Sequence, residues 1–304
     1  MNVHQNTWAI VLAAGDGARL ASLTSDQSGC RVPKQFCSLE GGLSLLNQAL
    51  TRARRVITRD QTCVIVAADH ERYWRDTLRT LRQHNVIVQP RNRGTAAGVL
   101  ISLLSVLEQD PLAHVLFLPA DHYVRCEPVL ARALREVVGL SHASPDAVIL
   151  VGMHPEGPDS ELGYIVPSRV LRNGSHQVEA FVEKPDTAAA LALLAAGAMW
   201  NSFIFAASGA FLLRMMRDRL GTLVEHLESA FAKPRGDSRW RTLHERYESL
   251  PTIDFSRAVI QGGERVLRVV RAPACGWNDL GTPKRLADIS ALYRVQLSVP
   301  ELRP

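Results

Sequence analysis

Trp8-Ala9-Ile10-Val11-Leu12-Ala13-Ala14 runs directly into Gly15-Asp16-Gly17-Ala18-Arg19-Leu20, with Pro33-Lys34-Gln35-Phe36 a short distance on. The unbroken apolar run reads as a strand buried on both faces, the pattern of a parallel sheet. The two glycines that end it let backbone N–H groups approach a phosphate with no side chain in the way. Arg19 and Lys34 add two cations, so strand, turn and cations together read as a cradle for more than one phosphate. A P-loop would close on Gly-Lys-Ser/Thr, and a dinucleotide fingerprint would place glycine where Leu20 stands; neither is present. Taken alone, the glycines are equally an ordinary strand-to-helix turn beside a surface arginine.

Working outward, further continuous apolar runs at 63–68, 86–88, 115–118 and 147–151 read as buried strands, with helical patterns between them at 95–108 and 128–140. Alternating strand and helix predicts an α/β fold: a Rossmann-like, mostly parallel mixed sheet with helices on both faces. Ligands of such sheets sit at the carboxyl ends of the strands. Gly15 and Asp121 both lie just past a strand end, so both should face one crevice. After about residue 155 the rhythm shortens. Strands at 163–167 and 178–182 flank Arg172-Asn173-Gly174, and Asn-Gly is a hairpin signal. This half should extend the same sheet and form the crevice's second wall, and a helix is predicted over 282–292. The expected organisation is one domain over 1–295, built of halves 8–155 and 156–295, with a tail at 296–304.

The composition bounds the function. The chain has 304 residues, 46% hydrophobic and 21% charged, as in a globular protein. A formal net charge of +5 and arginines thickening around Arg52, Arg54, Arg55, Arg59 and again from Arg72 to Arg93 read as a solvated basic face or an anion-steering field. No nucleic-acid-binding pattern accompanies them, so no nucleic-acid partner is expected. The five cysteines are scattered and form no C-x-x-C, which predicts neither a zinc site nor a disulfide framework and places the chain in a reducing cytoplasm. Residues 1–7 lack a basic signal region, and the alanine-rich stretch 188–199 is too short to cross a bilayer, so no membrane partner is expected.

Leu-Ala-Ala-Gly-Asp-Gly-Ala-Arg-Leu with Pro-Lys-Gln-Phe resembles the signature of nucleotidyltransferases that make activated metabolites, and most closely the mannose-1-phosphate guanylyltransferase (GDP-mannose pyrophosphorylase) family. Further blocks follow in that family's order: Gln89-Pro90-Arg91-Asn92-Arg93-Gly94-Thr95-Ala96, Leu118-Pro119-Ala120-Asp121-His122, Gly163-Tyr164-Ile165, Phe181-Val182-Glu183-Lys184-Pro185, Trp200-Asn201-Ser202 and Gly276-Trp277-Asn278-Asp279-Leu280-Gly281. The resemblance implies a GT-A-like nucleotidyltransferase fold. It implies that the chain moves GMP from GTP onto a sugar-1-phosphate, mannose-1-phosphate first among candidates, releasing pyrophosphate. By the same resemblance the first half binds nucleotide, through Leu12, Ala14, Gly15, Gly17, Asn92, Gly94 and Thr95. The second half binds sugar phosphate, through Gly163, Glu183, Lys184 and Asn201. Arg19, Lys34, Asp121 and Lys184 would be catalytic, and Asp121 and Asp279 would hold Mg²⁺. Assembly as a homodimer is a further expectation. No hexapeptide repeats occur, and no appended sugar-phosphate isomerase domain is expected.

Each of these residues has a plainer reading. Asp121 reads equally as a helix N-cap, Asp279 and Asn201 as turn residues, and Lys184 as an exposed lysine paired with Glu183. Thr95 or Asn92 reads as the cap of the following helix, and Asp254 as structural support or as a residue backing the site. His122 reads as a local hydrogen-bonding residue. Chemistry favours the ion-binding assignment, because Mg²⁺ keeps its waters and takes one or two carboxylates plus substrate phosphates. The chain departs from the family pattern at Ala13-Ala14, in the longer loop 20–32, at Phe203 where glycine often follows Trp-Asn-Ser, and at Asn278 and Leu280. Other sugar-1-phosphate nucleotidyltransferases (using dTTP, UTP or CTP), an isoprenoid-pathway cytidylyltransferase and a catalytically silent nucleotide-sugar sensor stay open as rivals.

Overall fold

The structure is a computed structural model that describes residues 6–26, 29–39 and 41–300, so part of the 20–32 loop and the last residues of the tail lie outside the described residues. In chain order the elements are β1 (Thr7–Ala13), β2 (Ser38–Leu39), α1 (Leu45–Arg54), β3 (Thr62–Ala67), α2 (Glu71–Leu78), β4 (Val86–Gln89), α3 (Gly94–Gln109), β5 (His114–Pro119), β6 (Tyr123–Val124), α4 (Glu127–Ala143) and β7 (Val148–Met153). There follow β8 (Gly163–Val170), β9 (His176–Glu183), α5 (Thr187–Ala195), β10 (Met199–Ser208), α6 (Gly209–Phe231), α7 (Asp237–Ser249), β11 (Leu267–Arg271), β12 (Trp277–Asn278), α8 (Pro283–Tyr293) and β13 (Leu297–Ser298).

Nine strands form one sheet in the order β4-β3-β1-β5-β10-β7-β11-β9-β8. The pairs β4–β3, β3–β1, β1–β5 and β7–β11 are parallel, whereas β10 runs antiparallel to β5, β7 and β8. Side chains alternate across a strand, and β1 shows why its sequence is apolar throughout. Ala9, Val11 and Ala13 enter the core shared with α1, α2 and α4, while Trp8 and Ile10 enter the opposite core shared with α3, α6 and α7. The hairpin predicted at Asn173-Gly174 joins β8 to β9, with Gly174 at φ 85°.

The second half adds its strands to the same sheet by interleaving: β10 inserts between β5 and β7, and β7 itself lies between β10 and β11. The apolar stretch 199–208 carried no strand expectation because its Trp-Asn-Ser interruption breaks the period; the register does shift there, between Asn201 and Phe205. Arg52 is not part of a solvated face. It is 1% exposed, and its guanidinium bonds both Glu127 oxygens (3.1 and 2.8 Å) and the His122 carbonyl (3.3 Å). It thus braces α1 and α4 beneath the segment that carries Asp121.

A small third core seats α8: Leu286 and Ile289 pack with Leu20, Leu39, Leu45, Tyr123 and Leu280. A two-residue ladder does the rest of the positioning. Trp277 pairs with Val124 and Asn278 with Tyr123, so Asp279 is delivered beside Asp121 by backbone hydrogen bonds.

Candidate active site

The carboxyl ends of β1, β4 and β5 and the facing ends of β8, β9 and β10 enclose a crevice of about 330 Å³. Leu12, Ala14, Gly15, Arg19, Lys34, Asn92, Gly94, Thr95, Asp121, Gly163, Glu183, Lys184, Asn201 and Asp279 all line it. Gly17 does not. Its φ is 60°, and a Cβ there would lie 2.9 Å from the Lys34 backbone nitrogen. The second glycine therefore lets the Pro33-Lys34 segment pack against the loop.

On the β1 side the cradle is braced from within. Gln35 donates through one amide nitrogen to the carbonyls of Ala13 and Gly15 (2.9 Å each), which fixes the loop after β1. Lys34 is 6% exposed, and its ammonium meets Asp121 Oδ2 (3.0 Å) and the carbonyls of Asp279 (2.6 Å) and Leu280 (3.2 Å). Three donors thus meet three protein acceptors. Arg19 reaches across the mouth to Glu161 (2.6 Å), a half-exposed pair that a phosphate can displace at little cost.

The loop before α3 is locked by its own polar groups. Asn92 accepts from the Gly94 N–H (2.9 Å) and donates to Asp16 (3.0 Å), so it does cap the helix's first N–H. The Thr95 hydroxyl instead accepts from the Phe255 N–H (2.7 Å), and α3 has no side-chain cap at Arg93. Gly94, at φ 79°, abuts Ile253 so closely that a Cβ would sit 2.8 Å from its backbone nitrogen. Behind this loop, Gln89 is 2% exposed and its Oε1 has no partner among the described residues.

Asp121 is no N-cap: α4 starts at Glu127, with Cys126 at the capping position. Burial alone would raise the Asp121 carboxyl, but the Lys34 ammonium beside it holds it below the usual carboxylate range. Burial pushes His122 down to about 4, so the imidazole is neutral and accepts at Nδ1 from Trp277 Nε1 (3.2 Å). This fits the local hydrogen-bonding role expected of it. Asp279 keeps its turn role as well, since its Oδ1 accepts from the Gly281 N–H (3.1 Å).

On the side formed by β8, β9 and β10, Asn201 turns the β10 bulge, its Oδ1 accepting from the Phe203 N–H (3.1 Å). Phe203 has φ 57°, Lys184 φ 50° and Leu280 φ 49°, conformations uncommon for side chains of this bulk. Glycine is the residue that meets the Phe203 position without strain, which accounts for the family preference there. Lys184 is exposed and makes no ion pair among the described residues, so the expected pairing with Glu183 is not formed. Burial, reinforced by Asp254, raises Glu183 to about 7. Its Oε2 has no hydrogen-bond partner among the described residues, and Gly163 makes room for it: a Cβ there would lie 2.5 Å from that oxygen. Asp254 faces the crevice, and its side chain accepts from the Arg257 N–H (2.9 Å).

Reasoning from the sequence passed over Gln35, Gln89, Glu161, Asp159 and Arg285. Gln35 lies within Pro33-Lys34-Gln35-Phe36 and Gln89 opens Gln89-Pro90-Arg91-Asn92, whereas nothing local marks the other three.

The crevice gathers cations and carboxylates from both halves of the chain, and comparison with known proteins gives the chain's family. A family profile for nucleotidyl transferases matches residues 8–296, and the chain belongs to that family. It is 29% identical over 289 residues to the xanthan biosynthesis protein XanB of Xanthomonas campestris, covering 92% of this chain and 59% of the relative. It is 28% identical over 290 residues to the mannose-1-phosphate guanylyltransferase RfbM of Salmonella typhimurium, covering 92% of this chain and 58% of the relative. The chain thus spans about three-fifths of the length of these relatives. Among solved structures it resembles one described as mannose-1-phosphate geranyltransferase from Thermus thermophilus, with TM-score 0.81 and 30% identity over 94% of this chain and 79% of that one. No helix among the described residues is long and apolar enough to cross a membrane.

Proposed function

We propose that this chain transfers GMP from GTP to a sugar-1-phosphate, mannose-1-phosphate first, releasing pyrophosphate and forming GDP-mannose. The observation that carries the reading is the single crevice in which Arg19, Lys34, Asp121, Lys184 and Asp279 converge from both halves of one domain. The guanylyltransferase relatives support the sugar and the base. So does Gln89: its unpartnered, buried Oε1 is an acceptor that guanine's N1–H and N2–H₂ would satisfy.

In this reading the sugar-phosphate oxygen, already ionised, attacks the α-phosphorus in line with departing pyrophosphate, so the protein's task is positioning and charge stabilisation. Arg19 releases Glu161 and takes the β- and γ-phosphates. Lys34 joins it by exchanging one of its carbonyl acceptors for phosphate. Lys184 orients the attacking phosphate, and Asn201, Glu183 and the backbone at Gly163 hold sugar hydroxyls. The donor set suits Mg²⁺: the carboxylates of Asp121 and Asp279 belong to residues lining one crevice, and Gly281 leaves space that a Cβ would take from the Arg285 guanidinium (2.8 Å) beside Asp279. Mg²⁺ held by Asp121 and Asp279 would supply neutralisation of the phosphate charge, its remaining ligands being phosphate oxygens and water. All five cysteines are free, which favours a reducing, cytoplasmic setting.

Pyrophosphate release from a panel of triphosphates and sugar-1-phosphates tests the proposal. Release with GTP and mannose-1-phosphate is expected. Release only with another pair would reassign the substrates, and no release with any pair would leave a silent sensor.

A further inference from the structure

Asp279 is gripped from behind. Arg285, in the first turn of α8 and 8% exposed, directs one guanidinium nitrogen to Asp279 Oδ1, while its Nε donates to Asp159 Oδ2 (2.8 Å). Asp159 is itself fixed. Its backbone N–H donates to the Tyr164 hydroxyl (2.7 Å), the same hydroxyl donates back to the Asp159 carbonyl (3.1 Å), and Tyr164 is fully buried. The other Asp159 oxygen accepts from the Glu161 N–H (2.8 Å), next to the pair that Glu161 makes with Arg19. Both hydrogen bonds to the Asp279 carboxylate, from Arg285 and from the Gly281 N–H, fall on Oδ1. Among the described residues, Oδ2 is left uncommitted.

We propose that Arg285, held by Asp159, is a positioning residue that fixes the Asp279 carboxylate so that one oxygen is presented to a divalent ion. The inference rests on the reading of Asp279 as an ion ligand. A planar fork bonds two carboxylates at once in a fixed geometry, which an ammonium with three freely rotating donors does not impose. Groups that orient a metal ligand from behind set ion affinity, and their loss costs roughly 10–100-fold. A mere counter-charge would act in the opposite direction. A guanidinium beside an ion ligand repels a divalent cation, so if charge were its only effect, its removal would tighten ion binding.

The test uses Mn²⁺ alone as probe. Mn²⁺ is titrated into the full chain and bound ion is read by electron paramagnetic resonance, alongside the Mg²⁺ concentration that half-saturates pyrophosphate release. Arg285→Lys keeps the charge and loses the fork; Asp159→Asn keeps Arg285 and loosens its grip. Arg285→Lys is expected to weaken Mn²⁺ binding about 10-fold or more. Asp159→Asn, the variant to use should Arg285→Lys not fold, is expected to weaken it by less, at a melting temperature close to native. Unchanged or tighter Mn²⁺ binding in a folded variant overturns the positioning role while leaving the transferase reading intact. A native chain that binds no Mn²⁺ overturns the ion site itself, and this inference with it.

Discussion

The two sides of the crevice differ in how many of their polar groups are already engaged. On the nucleotide side Lys34 has three acceptors, Gln35 holds two loop carbonyls, and Asn92 bonds both Asp16 and Gly94. On the sugar side, among the described residues, Glu183 Oε2 is buried without a partner and Lys184 makes no ion pair, and Lys184 and Phe203 both hold positive φ. The first side is prebuilt apart from the buried Gln89 Oε1, and elsewhere it exchanges partners when a ligand arrives. The second stores strain and an unmet acceptor, which are tolerable only where a ligand completes them. On this reading the nucleotide pocket sets selectivity by rigidity, and the sugar phosphate supplies the contacts that finish the other wall.

The largest effect should come from the rigid side. With mannose-1-phosphate, initial rates with GTP should exceed those with ATP, UTP or dTTP by up to ~10⁴-fold, because a site built for a hydrogen-bonding edge leaves its own groups unpaired with the wrong base. Gln89→Ala should erode most of that ratio. A native preference for dTTP or UTP would break the guanine assignment outright.

Next come the carboxylates that join the two sides. Asp121→Asn and Asp279→Asn should each lower turnover by ~10²–10³-fold with the fold retained by circular dichroism, and EDTA should abolish activity. Full activity in either variant, or indifference to EDTA, would contradict the shared ion site.

A smaller effect should separate the cations. Lys184→Met is expected to raise the KM for sugar phosphate by roughly 10–100-fold, the worth of one charge-assisted hydrogen bond, with nucleotide affinity near native. Arg19→Ala should leave sugar-phosphate KM alone and slow turnover or weaken GTP binding. Calorimetry showing GTP binding lost in Lys184→Met and kept in Arg19→Ala would reverse the two sides.

What could be read from the sequence divides along the same line as contact range. Residues 8–14 announced a strand, and Asn173-Gly174 a hairpin, because the signal lies within a few neighbours. The convergence of Gly15 with Asp121 followed from the rule that strand ends share a rim. The insertion of β10 did not, because its bulge at Asn201 hides the alternation. Arg285, Asp159 and the seat of Gly94 on Ile253 depend on residues distant in the chain, and nothing beside them differs from an ordinary helix start, loop or glycine. Arg52 misled for the same reason: its neighbours are arginines, and its carboxylate partner Glu127 lies far along the chain.

The smallest expected effect probes the unmet acceptor directly. Glu183 is raised to about 7 from 4.5 by burial, with Asp254 adding to it. Below pH 7 it is neutral; above, it is a carboxylate able to accept stronger hydrogen bonds from sugar hydroxyls. The KM for mannose-1-phosphate should therefore fall, by less than about 10-fold, as pH rises through 7. Stability should run the other way. Between about 4.5 and 7 the folded chain keeps a proton that the unfolded chain has released, so this group's contribution to stability declines with rising pH across that window and is level above it. Glu183→Gln removes both trends, and comparing its KM and melting temperature with native at pH 6 and pH 8 cancels the titration of the substrate's own phosphate. Parallel pH profiles for the two proteins would mean that Glu183 is already ionised or lies outside the sugar contact, and the contrast between the two walls would lose its sharpest edge.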